Sequence, residues 1–261
     1  MQENLSLSIR QFRMAWQTMC DASPNKAGAS LPGLEMLFSG LPIGFFNVGV
    51  LTDQVASDKG LRLLANDACA WAADKGVPWF LMVSHEALAE GVHAEATLTD
   101  CGLTPLLKIT GMIADDVAAL AKTPEGLDLR VPHDDASSAE VLLVNEAAYG
   151  VGMQPAVEHF GTYAFWKDHF AVVGRSAGNA VTSSTVMMMD GYRYVAFVAT
   201  HPDYQRRGYA DAAMRRSLDL AAEVHGRRPT VLHATEAGRP VYERMGYIPI
   251  STHTLFFGQP K

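Results

Sequence analysis

The chain has 261 residues, of which 48% are hydrophobic and 19% charged, a composition that buries a folded core and suits one large or two ordinary domains. No apolar run approaches the roughly 20 residues that span a bilayer, so no membrane partner is expected, and a formal charge of −7 argues against a duplex nucleic acid, which calls for a broad basic face. Cys20, Cys69 and Cys101 are odd in number, widely spaced and without a CxxC pair, so neither a disulfide framework nor a metal site is indicated and a reducing, cytoplasmic setting is expected.

The first twenty residues lack the basic start, apolar stretch and small-residue cleavage site of a secretory signal. They predict an amphipathic helix with Ile9, Phe12, Trp16 and Met19 on one side. Residues 21–33, DASPNKAGASLPG, read as a loop. A helix is expected from Gly60 to near Ala73, with Leu61, Leu64, Ala65, Ala68 and Ala72 on one stripe. Gly76, a strand over 79–83, a further helix and a Cys101-Gly102-Leu103 stop into a strand complete this half.

The break Thr123-Pro124-Glu125-Gly126 divides the chain into expected domains 1–124 and 125–261. Beyond it come a strand over 127–131, helices within 134–148 and 154–166, and strands Phe170–Val173, Val181–Met189 and Tyr192–Thr200. Asp190-Gly191 between the last two is a two-residue hairpin signal. A long helix from Gly208 to near Val224 carries Ala210, Ala213, Met214, Ser217, Ala221 and Ala222 on one stripe. It is followed by a strand over 230–234, a helix, a Met245-Gly246-Tyr247 stop, and two last strands near 247–250 and 254–257. Long helix, glycine, strand, helix and glycine stop recur in both halves, a weak internal repeat. The pattern as a whole predicts an α/β fold with mixed sheets.

Chemistry concentrates in Val198-Ala199-Thr200-His201-Pro202-Asp203-Tyr204-Gln205-Arg206-Arg207-Gly208-Tyr209-Ala210, where a strand gives way to the long helix. A helix start exposes unpaired N–H groups carrying partial positive charge, and Gly208 and Ala210 lack the bulk that would hold a pyrophosphate away from the backbone. Arg206 and Arg207 stand in the loop itself. Arg215 and Arg216, further along the helix, read as surface residues, the first within i,i+4 of Asp211 and Asp219.

Gln205, Gly208 and Ala210 fall where the GNAT acyltransferase superfamily writes its phosphate loop, Gln/Arg-x-x-Gly-x-Gly/Ala. Together with Val231-Leu232-His233-Ala234-Thr235 and Tyr242-Glu243-Arg244-Met245-Gly246-Tyr247, which is similar to the family's Tyr-x-x-x-Gly-Phe ending, they make residues 127–261 resemble that family. The repeat makes the first half resemble a degenerate copy, as in tandem GNAT proteins. The resemblance implies two GNAT-like N-acyltransferase domains, with acetyl-CoA or another acyl-CoA as co-substrate and an amine of a small molecule or peptide as acceptor. It implies phosphate contacts from Gln205, Arg206, Arg207, Gly208, Tyr209 and Ala210, pantetheine bonded to the backbone of Val198 and Thr200, and Tyr242 as general acid to the departing thiolate. In the first half, Asp58, Arg62 and Leu98 replace the features such a site needs.

The family's glutamate on the strand before the loop has no counterpart in Tyr194-Val195-Ala196-Phe197. His201 and His233, at the ends of the two strands expected to part, are the substitutes for a base, and each also reads as a structural histidine. Tyr242 also reads as a ring packed under its helix. Tyr149–Pro155 and the aromatics Phe160, Tyr163, Phe165 and Trp166 lie on the expected acceptor side. A non-catalytic acyl-CoA-binding regulatory protein keeping the same cradle, and a purely structural pairing of the two halves, are the competing readings. A homodimer is compatible with the sequence.

Overall fold

The computed structural model describes residues 2–260. In chain order the elements are α1 (Gln2–Asp21), β1 (Ala27–Leu31), β2 (Leu34–Phe38), β3 (Asn47–Leu51), α2 (Asp58–Ala72), β4 (Trp79–Ser84), α3 (Ala94–Asp100) and β5 (Thr104–Ala114). They continue with β6 (Asp128–Arg130), α4 (Asp135–Tyr149), α5 (Gln154–Phe160), α6 (Tyr163–Trp166), β7 (Phe170–Ser176), β8 (Asn179–Met189) and β9 (Tyr192–Thr200). The last four are α7 (Tyr209–His225), β10 (Thr230–Thr235), α8 (Arg239–Arg244) and β11 (Ile248–Gly258).

Two expectations are corrected. The Pro/Gly/Ser-rich stretch contains β1, which pairs antiparallel with β2 from Ala27 opposite Phe38 to Leu31 opposite Leu34. Small side chains give it little intrinsic strand preference, so the ladder, closed by the turn at Gly33 with φ of 72°, holds it. The two short strands expected at the C-terminus are one, β11.

Packing divides the chain into two compact units that are not contiguous in sequence. The first comprises Met1–Met112, Ala234–Arg239 and Pro249–Lys261, and the second Ile113–His233 and Pro240–Ile248. The division differs from a single cut at residue 124, because the chain's last strand packs in the first unit. There β11 runs antiparallel to β4, from His253 opposite Ser84 to Gly258 opposite Trp79.

In the first unit the strand order is β1-β2-β3-β4-β11-β5, with β3 and β4 parallel. The period of two decides which face each side chain serves. Trp79, Leu81 and Val83 meet Leu61, Ala65, Ala68 and Ala72 of α2, whereas Phe80 and Met82 meet Leu5, Ile9 and Phe12 of α1. Each of the buried Leu, Ile, Val, Met and Phe side chains contributes about 1.5–3 kcal/mol of transfer free energy.

Beneath α1 lies a buried polar knot. His253 Nδ1 is 2.7 Å from Ser84 Oγ. Its Nε2 is 2.8 Å from Ser251 Oγ and 3.2 Å from Ser8 Oγ, and Ser251 donates to Ser8 at 2.6 Å. Gly111 stands against this knot, where a Cβ would collide with the hydroxyls of Ser251 and Ser8.

The second unit repeats the plan. Its strands are ordered β10-β9-β8-β7-β6, with an antiparallel meander β7-β8-β9 and β10 parallel to β9. Helix α7 makes the crossover and buries Tyr209, Ala212, Ala213, Met214, Ser217, Leu218 and Ala221. Helix α4 opens on a capping box between Asp134 and Ser137 and packs against β8 and β9. Among the described residues no helix is long and apolar enough to cross a membrane.

Candidate functional site

The ladder between β9 and β10 has three register pairs, Arg193 with Thr230, Tyr194 with Val231, and Val195 with Leu232. Strand β9 then runs on to Thr200, and this stretch is irregular. Phe197 sits at φ of 52°, a left-handed conformation that a bulky residue adopts only when its surroundings enforce it. The pairing with β8 shifts register between Ser183 and Thr185.

Side chains supplement the interrupted ladder here. Phe197 O accepts from Ser183 Oγ at 2.9 Å and from Asn145 Nδ2 at 3.3 Å. Val198 O accepts from Tyr149 Oη at 2.7 Å, and Ala199 O from Thr182 Oγ1 at 2.8 Å. Thr200 O accepts from Gln205 Nε2 at 3.3 Å, so Gln205 ties the following loop back to the strand end.

The loop itself turns through Pro202–Tyr204, then Arg206 at φ of 62° and Gly208 at φ of 76°. Gly208 is the N-cap of α7 and supplies no side-chain bond; the first intrahelical bond runs from Ala212 N to Gly208 O at 3.0 Å. The N–H groups of the opening turn are those a helix leaves unpaired. A Cβ built on Gly208 would meet only Pro124 Cγ, at 3.9 Å, so the space beside Gly208 is open. Arg206, Arg207 and Gly208 are exposed; Arg207 donates to Asp203 O at 3.1 Å and stacks over Tyr204, 5.2 Å from its centroid. Tyr209 is buried, with its hydroxyl 3.5 Å from Glu125 O, and Ala210 is half-buried. Arg215 is bound to Asp211 at 3.0 Å and to Ala118 O.

The matching helix start in the first unit is arranged differently. Ser57 caps α2 by accepting from Gly60 N at 3.2 Å. The Asp58 carboxylate accepts from His93 N at 2.6 Å and lies 3.1 Å from His93 Nδ1; these bonds, the backbone one first, hold the Asp58 carboxyl below its ordinary value. Beyond the β3–β4 ladder, Val55 bridges to Leu88 through Val55 N to Ala87 O and Ala89 N to Val55 O, at 2.8 and 2.9 Å. A protein carboxylate sits at this helix start, and the chain after β3 is zipped to the chain after β4.

Tyr242, on α8, is half-buried, and its ring stands edge-on to Tyr247 at 6.1 Å. Burial, then the proximity of Tyr149 and Tyr247, pushes its phenol well above the ordinary value. It is therefore protonated over the working pH range, as a general acid must be, though weaker than a free phenol. His201 Nδ1 accepts from Asp203 N at 3.3 Å, which gives it a capping role in the loop. His233 Nδ1 lies 3.0 Å from Tyr194 Oη, immediately after the last β9–β10 pair.

On the expected acceptor side Phe160 and Trp166 are core residues. Trp166 stands edge-on to Phe197 at 5.3 Å and supports the irregular strand. Asn145 and the bulge at Phe197 carry no sequence signal. Among the described residues no His, Cys, Asp and Glu cluster could hold a metal ion.

A three-strand meander, a crossover helix with an uncapped start, and a parallel strand that pairs only at its beginning make up the candidate site of the second unit. Residues 138–247 match the model of the acetyltransferase (GNAT) family. Solved structures agree in fold along most of the chain. A GCN5-related N-acetyltransferase from Kribbella flavida is 19% identical with a TM-score of 0.70, covering 98% of this chain and 95% of that one. A functionally unknown conserved protein from Staphylococcus epidermidis is 12% identical with a TM-score of 0.69, covering 90% and 95%. A tandem GNAT protein from the clavulanic acid biosynthesis pathway is 14% identical with a TM-score of 0.56, covering 90% and 84%. No curated protein sequence matches the chain.

Proposed function

We propose that the second unit binds an acyl-CoA, acetyl-CoA being the donor to try first, and transfers the acyl group to an amine of a small-molecule or peptide acceptor. The observation that carries this is the start of α7, where Gly208 offers no side-chain cap and faces open space. A pyrophosphate fits there, met by the opening N–H groups and by Arg206 and Arg207. The backbone of Val198 and Thr200 would hold the pantetheine arm.

In the reaction the neutral amine attacks the thioester carbonyl, a C–N bond forms and the C–S bond breaks. His233 or His201 takes the proton the amine loses, and Tyr242 gives one to the leaving thiolate. The capped and bridged first unit takes no acyl-CoA in this reading.

The test is release of free thiol from acetyl-CoA across a panel of primary amines. Amine-dependent release above the protein-free rate supports transfer. Binding of acetyl-CoA with no release for any amine would reduce the protein to an acyl-CoA sensor, and no binding would refute the proposal.

A further inference from the structure

Three consecutive carbonyls of β9 are satisfied by side chains, and the donors differ in kind. Ser183 and Thr182 are fully buried and Asn145 nearly so; they are fixed parts of the interior. The donor to Val198 O is Tyr149, the last residue of α4, which is 53% exposed. It is followed by Gly150 at φ of 64° and then Gly152 at φ of 63°, two positions where the backbone adopts left-handed conformations that other residues resist. A side chain at such a helix end turns out by rotation about χ1, at little cost.

We propose that Tyr149 is a displaceable stand-in for ligand: its hydroxyl occupies the Val198 carbonyl in the free protein and leaves when the amide N–H of a pantetheine arm takes that carbonyl. This rests on the acyl-CoA reading of the second unit. A phenol O–H and a secondary amide N–H have the same donor role, and a backbone carbonyl left unpaired in a cleft costs more than one paired. A phenol of pKa about 10 keeps its proton at neutral pH, so the hydroxyl remains a donor. The exchange swaps one hydrogen bond for another, and its consequence is competition: Tyr149 weakens the ligand that displaces it. Tyr149 also neighbours Tyr242, so its departure reshapes the surroundings of the proposed acid only once donor is bound.

Calorimetric titration of the full chain with acetyl-CoA tests this, with adenosine 3′,5′-bisphosphate, which lacks the pantetheine arm, as the second probe. Removing a competing hydrogen bond makes Tyr149→Phe bind acetyl-CoA about threefold to tenfold more tightly, with bisphosphate affinity unchanged. Tyr149→Leu, which also lacks the hydroxyl, shares the gain. A purely structural tyrosine would lower the melting temperature without tightening either ligand. Equal or weaker acetyl-CoA binding by both variants, beside a wild type that binds, overturns the stand-in and leaves the acyl-CoA reading intact. A wild type that binds neither probe overturns both.

Discussion

His253 makes the first unit's stability depend on pH in a calculable way. Its imidazole is fully buried among Ser8, Ser84 and Ser251, and burial, with His85 nearby, pushes its pKa down from 6.5 to about 3. Below pH 6.5 the unfolded chain therefore binds a proton that the folded chain refuses, so the folded state loses stability as pH falls from about 6.5 toward 3 and has its full contribution above that window. At pH 5 the loss depends only on the unfolded value and comes to about 2 kcal/mol, at about 1.36 kcal/mol per unit. His85 and His169, both also lowered by burial, add losses of the same sign. Urea unfolding followed by tryptophan fluorescence at pH 7.5, 6 and 5 measures the total, and Trp16, Trp71 and Trp79 in the first unit dominate the signal. In His253→Gln the buried group no longer titrates, so stability should fall by about 2 kcal/mol less between pH 7.5 and 5 than in the wild type. Equal slopes in the two proteins would refute the reasoning, because they would mean that the buried imidazole is protonated in both states or in neither.

Other expectations follow from the site. Tyr242→Phe keeps the ring and deletes the proton, so kcat with acetyl-CoA should fall at least tenfold while Kd and melting temperature stay nearly constant; a full kcat at saturating acceptor would remove Tyr242 from the reaction. Calorimetry should find one acetyl-CoA per chain, because Ser57 and Asp58 already satisfy the start of α2; a stoichiometry near two would show that this cap yields to ligand.

Much of the fold was legible in period and punctuation. The stripes of α2 and α7, the Asp190-Gly191 hairpin and the glycine stops gave element types and order, because each is a local consequence of side-chain spacing. The misses are non-local. Strand β1 exists through its ladder with β2, since Ala27, Gly28, Ala29 and Ser30 have little to mark them as a strand. Strand β11 was split in two because polar Ser251, Thr252 and His253 interrupt its apolar ends; Ser251 and His253 become core only when α1 and β4 close over them. Nothing local tells the final strand to pack beside β4, which is why one cut at residue 124 does not describe the packing.

The candidate site divides in the same manner. Gln205, Gly208 and the helix start could be read because glycine at a left-handed turn and an absent N-cap are sequence features. The left-handed Phe197 and the bond from Tyr149 to Val198 could not, since a phenylalanine gives no hint of positive φ and a tyrosine at a helix end no hint of its partner.

The central claim is that the start of α7 is the acyl-CoA cradle, and a melting curve of Gly208→Glu with and without acetyl-CoA tests it most directly. A Cβ at Gly208 has room, and the strain of a left-handed glutamate, about 1–2 kcal/mol, lowers the melting temperature by only a few degrees. Its carboxylate would occupy and repel the pyrophosphate position. Ligand at about 100 times its Kd stabilises the wild type by about 2.7 kcal/mol, a rise on the order of 5 °C or more. The account predicts that rise in the wild type and none in the folded Gly208→Glu protein; the same rise in both would contradict it.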